Sequence, residues 1–361
     1  MLRIQALALV VVVALVAAVA TGAVGARTSG SVTVVAEHLN NPRGVWAMPD
    51  GSVYIAEAGT AGPQKLDKET FLGYTASVAR WRPSGTQRVV RKLGSVGGRD
   101  GTFTGGAHGV AVDRRGTIYV AMTGAPCNLK LPAAAKAQAG QLLRIRAGKQ
   151  ESVADIESLE CKHNYDRTDR NPNPYAVLAL GGDHEIVVDA GGNTAFDVRG
   201  KQAKLLAVLP KLPDGGQSVP TSVALGPDGA YYVGEFAGEI KGKLPKNRAR
   251  VLRIVPGKKP TVYRRGFNAI TGLAFDKQGT MYVTEFSTEP ANEQNAAGDV
   301  VAVAKNGTRT RLGVGKLFFP TGAAVGPDGS VYVSNWSILP GTPPKGGPFK
   351  GKSGQLVRIR K

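Results

Sequence analysis

Apolar and polar positions alternate in short runs along most of this chain, and the runs come in pairs. Asn41 to Gly59, Ala107 to Gly124, Pro220 to Gly238, Ile270 to Thr288 and Pro320 to Ile338 share one pattern. Each has a Gly-centred turn into an apolar strand, a two-residue polar turn, and an aromatic-rich strand, which mostly ends in a carboxylate. A degenerate copy spans Asn173 to Asn193. Asp50-Gly51, Asp228-Gly229 and Asp328-Gly329 are turns that close hairpins, because glycine tolerates the positive φ they require. Val53-Tyr54-Ile55 and Val331-Tyr332-Val333 carry the β-branched and aromatic residues that suit a pleated sheet.

A second pair of strands follows each hairpin, as in Ser77 to Trp81 with Arg88 to Arg91, or Arg250 to Ile254 with Thr261 to Arg264. Four antiparallel strands make one blade of a β-propeller, and six copies predict six blades. The pattern puts the turns at Gly51, Gly116, Gly191, Gly229, Gly279 and Gly329, the last two intervals being 50 residues each. Only one strand, Gln355 to Arg360, follows the last hairpin, and Val32 to Ala36 supplies the missing one from the other end. Such closure removes free sheet edges. The expected fold is therefore all-β, a six-bladed propeller whose last blade is closed by the N-terminal strand. Its blades span approximately 41–95, 106–160, 173–210, 219–266, 269–314 and 319–361, with the closing strand at 31–38.

Before the first repeat, Met1-Leu2-Arg3 leads into an apolar run from Ala6 to Ala20 and a small-residue exit at Val24-Gly25-Ala26. That is the pattern of a cleaved secretory signal over residues 1–26, shorter than the ~20 apolar residues of a membrane span. It leaves a single domain, 27–361, with no transmembrane segment. The expected location is extracellular, with retention at the cell envelope as a variant. Export makes the only cysteines, Cys127 and Cys161, a disulfide candidate worth roughly 3–4 kcal/mol by loop closure.

Charge adds a second feature. The chain carries a formal +19, which falls to +18 when Arg3 is lost with the signal. Basic residues crowd the outer-strand segments, among them Arg80, Arg88, Arg144, Arg250, Arg264, Lys241, Lys243 and Arg358. This predicts a basic rim that attracts anionic envelope or extracellular polymers. Nucleic acid is disfavoured, since the chain reads as exported and carries no nucleic-acid module.

Carboxylates recur instead after the second strand of each hairpin: Glu57, Asp189, Glu235 and Glu285, with Met122 or Thr123 and Asn335 in the other two copies. Propeller symmetry would gather these around the axis, where oxygen donors can hold Ca²⁺ or Mg²⁺. The same residues would equally serve as caps for backbone N–H groups, once per blade. His108 begins the second copy where others have Arg43 or threonine, so Arg43 and His108 are the catalytic candidates, with Asp100 and Glu57 within conceivable reach. No phosphate loop, serine-nucleophile motif or zinc-ligand spacing is present in the sequence.

Leu39 to Gly44, Tyr54 to Gly59, Asn173-Pro174-Tyr175 and Val188 to Asn193 resemble the ScyD/ScyE family of secreted bacterial proteins, and Asp189-Ala190-Gly191-Gly192-Asn193 is similar to NHL-type repeats. The resemblance covers essentially the whole mature chain and implies a six-bladed propeller, with no catalytic residue to carry over. Similar propellers include gluconolactonase-like enzymes, which rely on a carboxylate-bound divalent metal, and streptogramin lyases, which use a His with Mg²⁺. The expectation is a monomeric secreted binding or scaffold protein of unidentified ligand, without a cofactor. The alternative is a metal-dependent lactonase or lyase at the axial face, needing Ca²⁺ or Mg²⁺.

Overall fold

A computed structural model describes residues 30–238, 246–288 and 297–361. The expected signal segment, Lys241 and Lys243 lie outside the described residues. The first described strand is β1 (Ser31–Leu39), an edge strand of the closing blade. Blade one follows as β2 (Pro42–Ala47), β3 (Val53–Glu57), β4 (Gln64–Lys65), β5 (Phe71–Arg82) and β6 (Gly85–Gly97). The short β4 pairs with the start of β5, beyond the reach of β3. Blade two is β7 (Ala107–Val112), β8 (Ile118–Met122), β9 (Gln141–Arg146) and β10 (Lys149–Asp155), with helix α1 (Ala133–Lys136) inserted before β9 and helix α2 (Ile156–His163) after β10.

Blade three comprises β11 (Pro174–Ala179), β12 (His184–Asp189), β13 (Thr194–Arg199) and β14 (Gln202–Val208). Blade four is β15 (Pro220–Leu225), β16 (Tyr231–Glu235), β17 (Ala249–Ile254) and β18 (Thr261–Phe267), and blade five is β19 (Ile270–Phe275), β20 (Met281–Glu285), β21 (Ala297–Val303) and β22 (Arg309–Phe318). Blade six is β23 (Thr321–Val325), β24 (Val331–Asn335) and β25 (Gly354–Arg360), completed by β1 in the order β1-β25-β24-β23. Ser31 lies opposite Arg360 and Val34 opposite Val357, so the two ends of the described chain close the ring. Inner strands touch in sequence, β2 to β7 to β11 to β15 to β19 to β23 and back to β2.

The turn expected at Gly191 belongs elsewhere. The hairpin of blade three turns at Gly181 and Gly182, both with positive φ, while Gly191 follows β12 and leads into β13. The Asp-Ala-Gly-Gly-Asn phrase had imitated a hairpin turn, but the alternating residues on either side of Gly181 and Gly182 are the ones that pair.

Six apolar clusters fill the wedges between blades. Tyr54, Val78, Val110 and Leu143 join blades one and two; Tyr119, Val187 and Phe196 join two and three. Tyr282, Val300, Val333 and Val357 join five and six, and Ile55, Trp81, Tyr332 and Leu356 join six and one. Each fully buried large side chain contributes about 1.5–3 kcal/mol. The tyrosine hydroxyls remain satisfied at the wedge ends: Tyr232 and Tyr282 donate to Asp228 and Asp276, the acidic residues of their own hairpin turns.

The expected disulfide is present. Cys127 pairs with Cys161 at a Cα–Cα distance of 5.6 Å and ties α2 to the loop after β8. Helix α2 is N-capped by Asp155, whose side chain accepts from Ser158 N, and ends in a left-handed Asn164. No helix among the described residues is long and apolar enough to cross a membrane.

Candidate functional site at the axis

The second residue of each inner strand faces the same end of the ring: Arg43, His108, Tyr175, Thr221 and Thr271, with Thr321 at the corresponding start of β23. On one side of the ring the threonines stitch neighbouring blades. Thr221 Oγ1 donates to the Ile270 carbonyl, Thr271 Oγ1 to the Pro320 carbonyl at 2.8 Å, and Thr321 Oγ1 to the Pro42 carbonyl at 3.1 Å. The other three blades replace threonine with Arg43, His108 and Tyr175. Trp46 lies three residues after Arg43 and packs against the clusters of blades one–two, two–three and three–four at once. Its indole therefore reaches across the axis.

Arg43 is 7% exposed and His108 6%. The guanidinium donates to the Ser337 carbonyl at 2.5 Å and the Thr104 carbonyl at 2.9 Å, and meets no carboxylate among the described residues. Burial pulls its pKa below the ordinary value, with Tyr175 opposing. The His108 and Tyr175 rings are 4.7 Å apart. Burial, then repulsion from Arg43, pushes the imidazole down to about 3, the Asn173 side chain working the other way. His108 is thus neutral at ordinary pH, and its Nδ1 has no partner. Burial raises the Tyr175 phenol, so it stays protonated. The site is a fixed cation beside a neutral imidazole and a neutral phenol.

Arg43 and His108 were legible as departures from the repeat, and the structure brings them together. Tyr175 was missed as a site residue, although it occupies the same register position. Asp100 and Glu57 do not join them: Asp100 is exposed and holds its own turn through Thr102, while Glu57 is engaged inside blade one.

The recurrent carboxylates sit apart, each within its blade. Glu57 accepts from Asn40 N at 2.7 Å, Ser77 Oγ at 2.6 Å and both Nε and NH2 of Arg88. Glu235 accepts from Ser218 Oγ and twice from Arg250, both bonds 2.6 Å. Glu285 accepts from Asn268 N and Arg311, which also pairs with Asp299. In blade six Asn335 Oδ1 takes the same position and accepts from Phe318 N. Asp189 accepts from Asn173 N at 2.6 Å and Gly191 N at 3.1 Å. These groups fasten the loops entering five of the six blades, blade two having Met122 at that position. No three His, Cys, Asp or Glu side chains among the described residues converge on a metal position. The axial ring itself presents a guanidinium and no carboxylate, a donor set that does not fit a divalent ion.

The rim is less uniformly basic than its sequence implies. Arg88 and Arg250, counted toward the rim, turn their guanidinium groups to the buried carboxylates, as Arg311 does in blade five.

No protein-family model matches the chain, and no curated protein sequence does. Solved structures do match. Regucalcin from Agrobacterium tumefaciens, a calcium-binding protein, aligns with a TM-score of 0.56 at 13% identity, covering 93% of this chain and 95% of that one. A gluconolactonase from Xanthomonas campestris aligns at 0.52 and 11% identity, covering 91% and 89%. A streptogramin B lyase aligns at 0.50 and 13% identity, covering 92% and 97%. At such identities the likeness establishes the fold, and the chain is a six-bladed β-propeller.

Proposed function

We propose that the protein acts on a small, oxygen-rich compound at the axial end of the ring, as an enzyme of lactone-opening or lyase type. The observation that carries this reading is the buried Arg43 without a carboxylate partner, next to a neutral His108. An uncompensated cation in a sheltered site favours a ligand that brings an anion or develops one. In lactone opening, His108 would take a proton from water as its oxygen adds to the carbonyl. The ring C–O bond then breaks and the leaving alkoxide receives the proton. Arg43 would hold the oxygen that gains charge, and Tyr175 would donate a hydrogen bond to the ligand. Fold likeness to a gluconolactonase and a streptogramin B lyase supports this class over a passive scaffold. This reading assigns no carboxylate-held metal to the axis, since the donors there do not fit one.

Binding itself sets the basicity of the imidazole. An anionic ligand on Arg43 offsets the charge that depresses His108 and makes it a stronger base when occupied. The test is turnover of a lactone and cyclic-ester panel by the purified chain, with His108→Asn and Arg43→Met. Loss of turnover by about 10²-fold or more in both variants is expected. Full activity in both would refute the reading.

We also propose that the ScyD/ScyE likeness and the apolar N-terminal run mark an exported protein. The surplus positive charge supports retention on anionic polymers outside the cell. Release from an anionic resin and from cell envelopes at the same moderate salt concentration would support retention by charge; release insensitive to salt would count against it.

A further inference from the structure

Blade three departs from the carboxylate–arginine pattern of blades one, four and five. Its strand-end carboxylate, Asp189, is fully buried and meets no arginine; its cross-strand neighbour is Thr194, where blade four has Arg250 opposite Glu235. Helix α2 instead lays Glu160 beside it. Glu160 and Thr194 are each 0% exposed. Both carboxylate oxygens of Glu160, Asp189 Oδ2 and Thr194 Oγ1 are buried without a hydrogen-bond partner. Gly192 lies between the acids. A Cβ there would come 2.6 Å from Glu160 Oε2 and 2.9 Å from Asp189 Oδ2, so only glycine lets both oxygens converge this closely over the backbone.

When charged, both acids only accept hydrogen bonds, so neither can satisfy the other. The backbone N–H groups of Tyr165 beside Glu160 and of Gly192 beside Asp189 offset their charge only in part. Two buried, unpaired carboxylates are costly unless something positive stands between them. All four orphaned atoms are oxygens, the donors that hard divalent cations take. Asp166 adds negative charge nearby: it acts on both Glu160 and Asp189, and its Oδ2 accepts from Asn193. Glu160 is held in place by its neighbour in the chain, Cys161, through the disulfide to Cys127.

We propose that Glu160, Asp189 and Thr194 form a structural Ca²⁺ site over Gly192, which locks α2 onto blade three and lies apart from the axial residues. Water or backbone carbonyls complete the ion's six to eight ligands. None of its ligands is an axial residue, but Asn173 touches both places: its N–H donates to Asp189 and its side chain meets His108.

The experiment is a thermal-shift and calorimetric titration of the EDTA-stripped chain with Ca²⁺, and with Mg²⁺ as comparison, on the unaltered protein and on Gly192→Ala, Glu160→Gln and Thr194→Val. Ca²⁺ is expected to bind at one ion per chain and to raise the melting temperature by roughly 5 °C at a hundredfold excess over Kd. Gly192→Ala and Glu160→Gln should lose that rise, and Thr194→Val should weaken binding about tenfold. Without metal, Glu160→Gln should melt higher than the unaltered protein, because it removes a repelling buried charge; this separates loss of the ion from misfolding. No Ca²⁺ response in the unaltered protein, or an equal response in Glu160→Gln, overturns the proposal. So does stabilisation that acid supplies and Ca²⁺ does not, which would mean the acids are simply protonated.

Discussion

In blade four, Glu235 at the end of the second strand meets Arg250 from the next strand; in blade three, Asp189 at the same place meets Glu160 from an inserted helix. Both carboxylates fasten the loop that enters their blade, through Ser218 Oγ in one and Asn173 N in the other. They differ in what neutralises them. Burial raises the pKa of both, but bonds from Arg250 and Ser218 work against the rise at Glu235. Asp189 is pushed up to about 6 and Glu160 to about 7, in each case chiefly by burial. A repeat can therefore conserve a geometric role while changing its electrostatic solution, and blade three leaves its solution open to an added cation.

The largest effect should come from breaking the paired version. Arg250→Met leaves Glu235 buried and uncompensated, and urea unfolding should show a loss of about 3–5 kcal/mol. The guanidinium side chain is 5% exposed there, against 31% for Arg88 and 35% for Arg311. The same change at Arg88 or Arg311 should therefore cost less. Adding Glu235→Gln to Arg250→Met should recover much of the loss, because the unpaired charge is then gone. A similar loss in the double variant would mean that Arg250 acts by packing and by its bond to the Pro210 carbonyl.

Next in size is the staple that holds blade three's extra acid. Replacing both Cys127 and Cys161 by serine opens a separation of 34 residues and should cost roughly 3 kcal/mol. The same unfolding experiment read in Ca²⁺ sharpens the comparison. The loss should grow when the ion is present, because the freed α2 no longer holds Glu160 over Gly192. The described residues of blade four carry no such helix, so the Arg250→Met loss should be the same with and without Ca²⁺.

The architecture was legible because its signals are local and repeated. Asp-Gly turns, alternating strands and a spare strand at each end specify blades and closure without any long-range knowledge. The disulfide was legible because two cysteines in one repeat leave one pairing. Arg43 and His108 stood out by departing from threonine at a fixed register. What the sequence hid was partner choice. Arg88 and Arg250 read as a basic rim, yet each sits near a carboxylate only after the sheet folds. Glu160 lies in a segment with no repeat counterpart, so no register linked it to Asp189. Gly191 misled for a related reason: a glycine-rich phrase marks a turn, but strand pairing decides which turn.

The smallest expected effect is a pH dependence, and it tests the unpaired carboxylates without metal. Asp189 and Glu160 have folded-state pKa values above their unfolded ones, so the folded chain binds more protons between about pH 4 and 7. Their stabilising contribution is complete below the unfolded pKa and is lost as pH rises through about 6 and 7. Glu157 and Glu185, each pushed up to about 7 mainly by burial, act in the same direction. His108 acts oppositely: its value of about 3 gives stability above its unfolded pKa that fades as pH falls toward 3. Raw stability is therefore a sum of opposed trends, and the useful quantity is the difference between the unaltered protein and Glu160→Gln. In EDTA that difference should move in favour of Glu160→Gln by on the order of 1–2 kcal/mol from pH 5 to pH 8. Saturating Ca²⁺ should reverse its sign at pH 8. A difference that stays flat across the range would show that Glu160 feels no unfavourable burial, and the contrast between blades three and four would then rest on geometry alone.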